Sequence, residues 1–246
     1  MKKRSYDQIH IHLEEKPSEY VQHTAKNDIT LPAVIVFSGM RGSGKTYACI
    51  SLVRHFEIKK YITRTFLLCP TRHSNDLYSN LKTLKPRDSF ENENLFSVAL
   101  HQILMDVKKD WDDFKEEQHY RKIHLKARTS KDLTLREQHL LAFRQGEPPQ
   151  NIPKPSHLLI VDDAQGTDLY SNARRDLLTH IVIKHRHINI PTTICLLAQS
   201  WTGIPRVIRL NTTQYAVYKT GDKTQLKQIY DTFSNTVDYD KFEHMY

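Results

Sequence analysis

Cysteine is scarce in this chain: three residues in 246, Cys49, Cys69 and Cys195, with no paired C-x-x-C spacing. An odd, unpaired set offers neither a disulfide framework nor a zinc site, and a reducing compartment is expected. No H-x-x-x-H pair falls on a predicted helix, so the 14 histidines suggest no metal site. No run approaches the roughly 18 to 20 apolar residues of a membrane span. The basic start MKKRSYDQIHIHLEEKP has no apolar stretch behind it, as a secretory leader would. A soluble intracellular protein with no membrane partner is therefore expected. Internal repeats and low-complexity tracts are also absent, and with 39% apolar and 26% charged residues the composition is that of a globular chain, which excludes disorder and collagen. What is in excess is positive charge. Lys and Arg number 36 against 28 Asp and Glu, a formal +8 with His neutral, which favours polyanionic partners.

The first thirty residues are polar and read as an arm, although Ile9, Ile11 and Leu13 alternate as a short edge strand would. From residue 31 to 246 the pattern is that of one domain. AVIVFSG is a compact β-branched run ending at glycine, and TYACISLVRHF behind it sets Ile50, Val53 and Phe56 at helical spacing. RTFLLC ends at Pro70, with Ser74 placed to cap a helix bearing Leu77 and Leu81. Between about residues 86 and 155 the rhythm breaks into long, charged, helix-periodic stretches, read as a helical insertion that closes in PQNIPKP. Trp111, Tyr120 and Phe143 within it are expected on the apolar faces of its helices. SHLLIVDD supplies a third strand, a helix is expected from Leu169 to His187, TTICLLAQS and QYAVYK follow as strands, and a last helix runs from Lys223 to about Phe233. Alternating strands and helices predict an α/β fold: a mostly parallel sheet with helices on both faces, and ligands at the carboxyl ends of the strands.

Residues 39 to 46, GMRGSGKT, satisfy G-x-x-x-x-G-K-[ST] at Gly39, Gly44, Lys45 and Thr46. Composition alone yields this string in roughly one chain in a hundred, and here it sits between a strand and a helix, the context that gives it meaning. Its glycines let consecutive N–H groups wrap phosphates, and the helix start adds its positive end. ATP and Mg²⁺ are the expected cofactors. The binding segment runs through Gly39, Met40, Arg41, Gly42, Ser43, Gly44, Lys45, Thr46 and Tyr47, with Lys45 on the β- and γ-phosphates and Thr46 on the metal.

LLIVDDAQ delivers Asp162 and Asp163 to a strand end. A carboxylate there suits the Mg²⁺ shell, for which Asp162 is the candidate, and Asp163 is placed to polarise the attacking water or to fix the group that does. An Asp-rich cap of the next helix is the structural alternative. ICLLAQS delivers Gln199 to the same edge, where an amide can accept from the water and donate to the γ-phosphate. Between residues 170 and 221 Arg174, Arg175, Lys184, Arg186, Arg206, Arg209 and Lys219 gather with little acid among them. An arginine finger reaching a neighbouring subunit's γ-phosphate, phosphate contacts along DNA, and a solvated helix face compete for them. Arg186 is the first choice for the finger, with Arg206 and Arg209 as substitutes.

The order GMRGSGKT, LLCPT, LLIVDD, KHRHINIPTTICLLAQS, IPRVIRLNT resembles the genome-packaging ATPases of the FtsK and HerA superfamily, in particular the poxvirus-type branch of large DNA viruses and virophages. The likeness covers roughly residues 31 to 233. It implies a P-loop NTPase fold of RecA and FtsK type, with Lys45 and Thr46 on ATP and Mg²⁺, Asp162 on the metal, Asp163 activating water and Gln199 as sensor. Many superfamily members carry Glu where Asp163 stands, one methylene longer. The resemblance further implies a homo-oligomeric ring, with six subunits expected, threading double-stranded DNA into a preformed capsid in the host cytoplasm or a viral factory, and a capsid component as partner. A nucleoside or small-molecule kinase remains the alternative enzyme class, with Arg121, Arg128, Arg136 and Arg144 of the insertion as a candidate lid. A nucleotide-switched assembly scaffold is the non-enzymatic one.

Overall fold

The computed structural model describes residues 24 to 245 apart from 27, 75, 130–131, 171–176, 186–191 and 234–237. Among the described residues six strands form one sheet: β1 (Val34–Ser38), β2 (Arg64–Leu68), β3 (Leu84–Phe90), β4 (His157–Asp162), β5 (Thr192–Ala198) and β6 (Gln214–Val217). Their order is β3-β2-β4-β5-β1-β6, and every pairing is parallel. Parallel strands are covered on both faces, so they read as unbroken apolar runs, and β1, β4 and β5 are buried at every residue. Alternate residues serve opposite faces. Val34 and Val36 of β1 join Leu159, Val161, Ile194 and Leu196 in one core, while Ile35 and Phe37 join Leu158, Ile160, Cys195 and Leu197 in the other.

The second core is closed by α1 (Lys45–Ile58) through Cys49, Ile50, Val53 and Phe56. The first is closed by α2 (Phe96–Thr129), α4 (Leu177–Lys184), α5 (Arg206–Leu210) and α6 (Lys223–Phe233), with α7 (Tyr239–Met245) against it through Phe242; α3 (Leu135–Phe143) lies outside both cores. Among the described residues no helix is long and apolar enough to cross a membrane. Most of the polar arm, including Ile9, Ile11 and Leu13, lies outside the described residues.

The expected helical insertion at about 86–155 begins differently. Residues 84 to 90 form β3, an edge strand whose register shifts between Thr65 and Leu67 of β2 and which contains Pro86. Proline lacks a donor and is tolerated at edges and bulges, so LKPRDSF pairs without resembling a strand. Between β2 and β3 the chain makes two 3₁₀ turns, Arg72–Ser74 and Asp76–Asn80, in place of the expected helix. The first half of α2 is no insertion either: Phe96, Leu100, Ile103, Val107 and Trp111 are buried at helical spacing against the sheet. At 1.5 Å per residue α2 is about 50 Å long, roughly twice the longest strand, so its far half overhangs. That half pairs with α3. Tyr120 is buried there, as expected, but Phe143 is 85% exposed, against the expectation of an apolar helix face.

The overhang is tied by charge. Glu117 accepts from Arg144 Nη1 and from the Gln150 N–H, both at 2.5 Å, and Tyr120 donates to the Glu147 carbonyl at 2.7 Å. Thr134 and Glu137 form a capping box at the start of α3, and Lys126 donates to Glu137 at 2.9 Å. The Lys126 ammonium, then the Thr134 N–H, hold the Glu137 carboxyl down at about 2 against an ordinary 4.5. A depressed carboxylate stabilises the fold fully above its unfolded value and loses that contribution as pH falls through the folded one. In an NMR titration Glu137 is expected to stay ionised below pH 4 and the α3 amides to shift only as pH approaches about 2; Lys126→Met should return it toward 4.5. Titration of the wild-type group in the ordinary range would show that the tie does not hold in solution.

A second network sits away from the strands' carboxyl ends. Arg64 donates to Asp88, Asp106 and Asp110 at 2.6 to 3.2 Å, and His157 bonds Asp110 at 2.9 Å. It joins β2, β3, β4 and α2 and leaves the opposite edge for chemistry.

Candidate functional site

β1 runs into the glycine-rich loop with its backbone anchored on both sides. The Gly39 N–H donates to the Ala198 carbonyl at 3.1 Å, and the Tyr218 N–H donates to the Ser38 carbonyl at 2.8 Å. A Cβ on Gly39 would lie 2.5 Å from Cβ of Tyr218, so only glycine fits against the neighbouring chain. Gly42 and Gly44 have φ of 78° and 92°, left-handed values that curl the loop and start α1 at Lys45. The first turn of α1 thus carries Lys45 and Thr46 with its positive end at the loop.

Lys45 is 8% exposed, and its Nζ donates to the carbonyls of Gly39 at 2.6 Å and Met40 at 2.9 Å. Burial pulls its pKa down, while Asp162 and Asp163 push it back up. Asp162, the last residue of β4, is also 8% exposed. Its Oδ2 accepts from Tyr78 OH at 2.5 Å and from Thr46 Oγ1 at 3.3 Å. Burial, then the neighbouring Asp163, raise its pKa against the lowering effect of Tyr78, Thr46 and Lys45.

Asp163 leaves the strand at φ 55°, a left-handed conformation rare outside glycine and best tolerated by Asn and Asp. It therefore faces differently from Asp162, and its Oδ1 accepts from Gln199 Nε2 at 2.7 Å. Gln199 follows β5, which lies between β4 and β1 in the sheet. That strand order sets the amide between the acids and the loop. Its own N–H donates to Gln165 Oε1 at 3.1 Å, and Gln165 Nε2 donates to the Ser200 carbonyl at 3.3 Å.

These groups surround one cavity of about 370 Å³ lined by Arg41, Gly42, Lys45, Thr46, Thr71, Asp162, Asp163 and Gln199. Phosphate loop, paired acids and strand-end amide therefore converge as the sequence predicts. Met40 and Tyr47 direct exposed side chains elsewhere, and Ser43 keeps a buried Oγ without a hydrogen-bond partner among the described residues. Arg186, with Arg174 and Arg175, lies outside the described residues. Tyr78, Thr71 and Gln165 were not predicted. Gln165 closes the LLIVDDAQ string, but nothing in the spacing of Tyr78 announces its bond to Asp162.

Tyr78 is fully buried, and burial raises its phenol pKa well above the ordinary value, so it stays a donor. Tyr78→Phe keeps the ring and removes that donor from a buried carboxylate. Hydrogen bonds to charged groups are worth about 1.5–3 kcal/mol, and a loss of that size is expected in urea unfolding. An unchanged midpoint would mean the contact contributes nothing.

Thr46 and Asp162 offer a hydroxyl and a carboxylate side by side, the hard oxygen donors that Mg²⁺ takes when phosphates and water complete its shell. Among the described residues no group of three or more His, Cys, Asp or Glu forms a metal cage.

No protein-family model matches the sequence, and no curated protein matches it. Solved structures do. The DNA-packaging ATPase B204 of Sulfolobus turreted icosahedral virus aligns with a TM-score of 0.50 at 13% identity over 87% of this chain and 88% of that one. The cytoplasmic domain of EssC aligns at 0.47 and 13% identity, covering 85% of this chain and 38% of that one. EssC ATPases 2 and 3 from Geobacillus thermodenitrificans align at 0.45 and 14% identity, covering 84% and 35%. The chain thus spans a little over a third of those EssC chains. The B204 likeness is one of fold, and with it the α/β P-loop NTPase class expected from the sequence holds.

Proposed function

We propose that this chain is a Mg²⁺-dependent ATPase that moves double-stranded DNA, working as a homo-oligomeric ring that packages a viral genome into a preformed capsid. The observation that carries the reading is the convergence of Lys45, Thr46, Asp162, Asp163 and Gln199 on a single cavity. The loop's N–H groups and the helix start receive the phosphates. Lys45 exchanges its two carbonyl partners for phosphate oxygens, and Thr46 and Asp162 would hold Mg²⁺, which when bound would supply charge neutralisation for the phosphates. Asp163, steadied by Gln199, accepts the proton of the attacking water. Gln199 stands at the edge where water and γ-phosphate would meet, and its N–H donates to Gln165, which ties it to the segment that follows β4.

The net charge of +8 suits a DNA substrate, and the B204 chain, whose fold matches over 87% of this one, is described as a DNA-packaging ATPase. Against a kinase stands the insertion. Arg144 is held by Glu116 and Glu117, and Arg121 donates to the Gln150 carbonyl, so two of the four candidate lid arginines are engaged away from the phosphates. A scaffold has no use for a carboxylate held by an amide at the γ-phosphate end. We place the protein in the host cytoplasm or a viral factory, with a capsid component as further partner. The test is ATP turnover by purified protein with and without linear duplex DNA: stimulation by DNA supports the motor, and phosphate transfer to a nucleoside without DNA stimulation overturns it.

A further inference from the structure

Three residues beyond Gln199, Thr202 enters the wall of a separate cavity of about 370 Å³. Arg206 and Arg209 of α5 and Gln228, Asp231 and Thr232 of α6 complete the part of that wall that carries polar chemistry. Arg206 and Arg209 stand one helical turn apart on the same face. Neither forms an ion pair among the described residues. Burial, then the charge of Arg206, pull Arg209 below its ordinary pKa. Its Nε is buried without a hydrogen-bond partner, and so is Oε1 of Gln228 across the cavity. The hydroxyl of Thr232 already donates to the Gln228 carbonyl, and among the described residues Asp231 is the one acid on the wall. Two adjacent guanidinium groups with an orphaned donor between half-buried walls are costly unless an anion meets them.

The anion must come to them. A finger that reaches into another subunit has to project, whereas the guanidinium of Arg209 lies 5.5 Å over the Trp201 ring inside the concavity. Arginine forks match phosphate oxygens, and the amide of Gln228 can present its oxygen or its NH₂ group to the same ligand. The floor is tied to the nucleotide cavity. The Trp201 N–H donates to Gln225 of α6 at 2.9 Å, the Gly203 N–H donates to Ser200 Oγ at 3.1 Å, and Gln165 bonds both Gln199 and Ser200.

We propose that Arg206 and Arg209 form a second phosphate site, which takes two backbone phosphates of duplex DNA, one at each arginine, and answers to the nucleotide through the 199–206 segment; the DNA identity of the ligand rests on the function proposed above. The test is fluorescence anisotropy of the full chain with a labelled duplex, titrated across about 50–200 mM salt, for wild type, Arg206→Gln, the Arg206→Gln/Arg209→Gln pair, and Lys59→Gln at the end of α1 as a control cation outside this cavity. Each lost phosphate contact should reduce the slope of log affinity against log salt by about 0.9, so the pair should lose about 1.8 and bind at least tenfold more weakly, while Lys59→Gln keeps the wild-type slope. Arg206 is exposed, so its variant should melt like the wild type and still lose about 0.9, which separates the site from a folding defect. A slope unchanged in the pair, or one lowered equally by Lys59→Gln, overturns the site as a DNA contact. A wild type that binds no duplex overturns the DNA reading itself. The phosphate site then stands if inorganic phosphate raises the melting temperature of the wild type and not of the pair, and falls if it raises both or neither.

Discussion

Lys45→Ala is expected to reduce ATP turnover by about 10²–10³-fold and to weaken nucleotide binding by roughly 10–100-fold. The reason is visible without nucleotide. The ammonium is nearly buried and satisfied by two main-chain carbonyls of the loop itself, Gly39 and Met40, at 2.6 and 2.9 Å. It is a charge held ready where a phosphate chain would enter, with Asp162 and Asp163 opposing the effect of burial on its pKa. Each charge-assisted bond that the ammonium would transfer to phosphate is worth about 1.5–3 kcal/mol, one to two decades in affinity. Alanine leaves the helix intact, since position 45 begins α1 and alanine is the strongest helix former. The helix content read by circular dichroism should therefore stay as in the wild type while a fluorescent ATP analogue loses affinity. A Lys45→Ala protein with wild-type turnover would remove the loop from the chemistry.

Parts of this site were legible in the sequence for a simple reason. A loop that must wrap phosphates needs glycine at fixed places, and an acid or amide that must meet it needs an apolar strand to carry it to the sheet's edge. GMRGSGKT, LLIVDD and ICLLAQS state both halves locally. The strand order was not stated anywhere, and it is what sets Gln199 between Asp163 and the loop. Tyr78 escaped because its bond to Asp162 spans 84 residues and is made from a 3₁₀ turn without periodicity. β3 escaped because Pro86 and a register shift hide an edge strand among polar residues. α2 misled in the other direction: its charged outer face advertised an insertion while Phe96, Leu100, Ile103 and Val107 kept the period of a core helix. In each miss a tertiary contact outweighed the local pattern.

Asp163→Asn separates binding from chemistry more sharply than any other substitution in the site. Position 163 adopts φ 55°, where asparagine and aspartate sit with little strain and other side chains do not. Asparagine also keeps an Oδ1 that can accept from Gln199 Nε2, now at 2.7 Å. What disappears is the negative charge and the capacity to take a proton. General-base catalysis is worth typically about 10²–10⁴ in rate, and turnover should fall by that factor while the affinity for ATP stays within a few-fold, since Lys45, Thr46 and the loop are untouched. Single-turnover phosphate release and analogue titration on the same preparation would read both. Normal turnover would take the base role from Asp163; loss of binding in parallel with turnover would make it a structural acid. The same backbone conformation bears on a glutamate placed at this point. In the left-handed region a glutamate lacks the short side chain that bonds its own backbone locally, so Asp163→Glu gains reach and loses backbone fit. Its turnover should fall below wild type even though the carboxylate is retained.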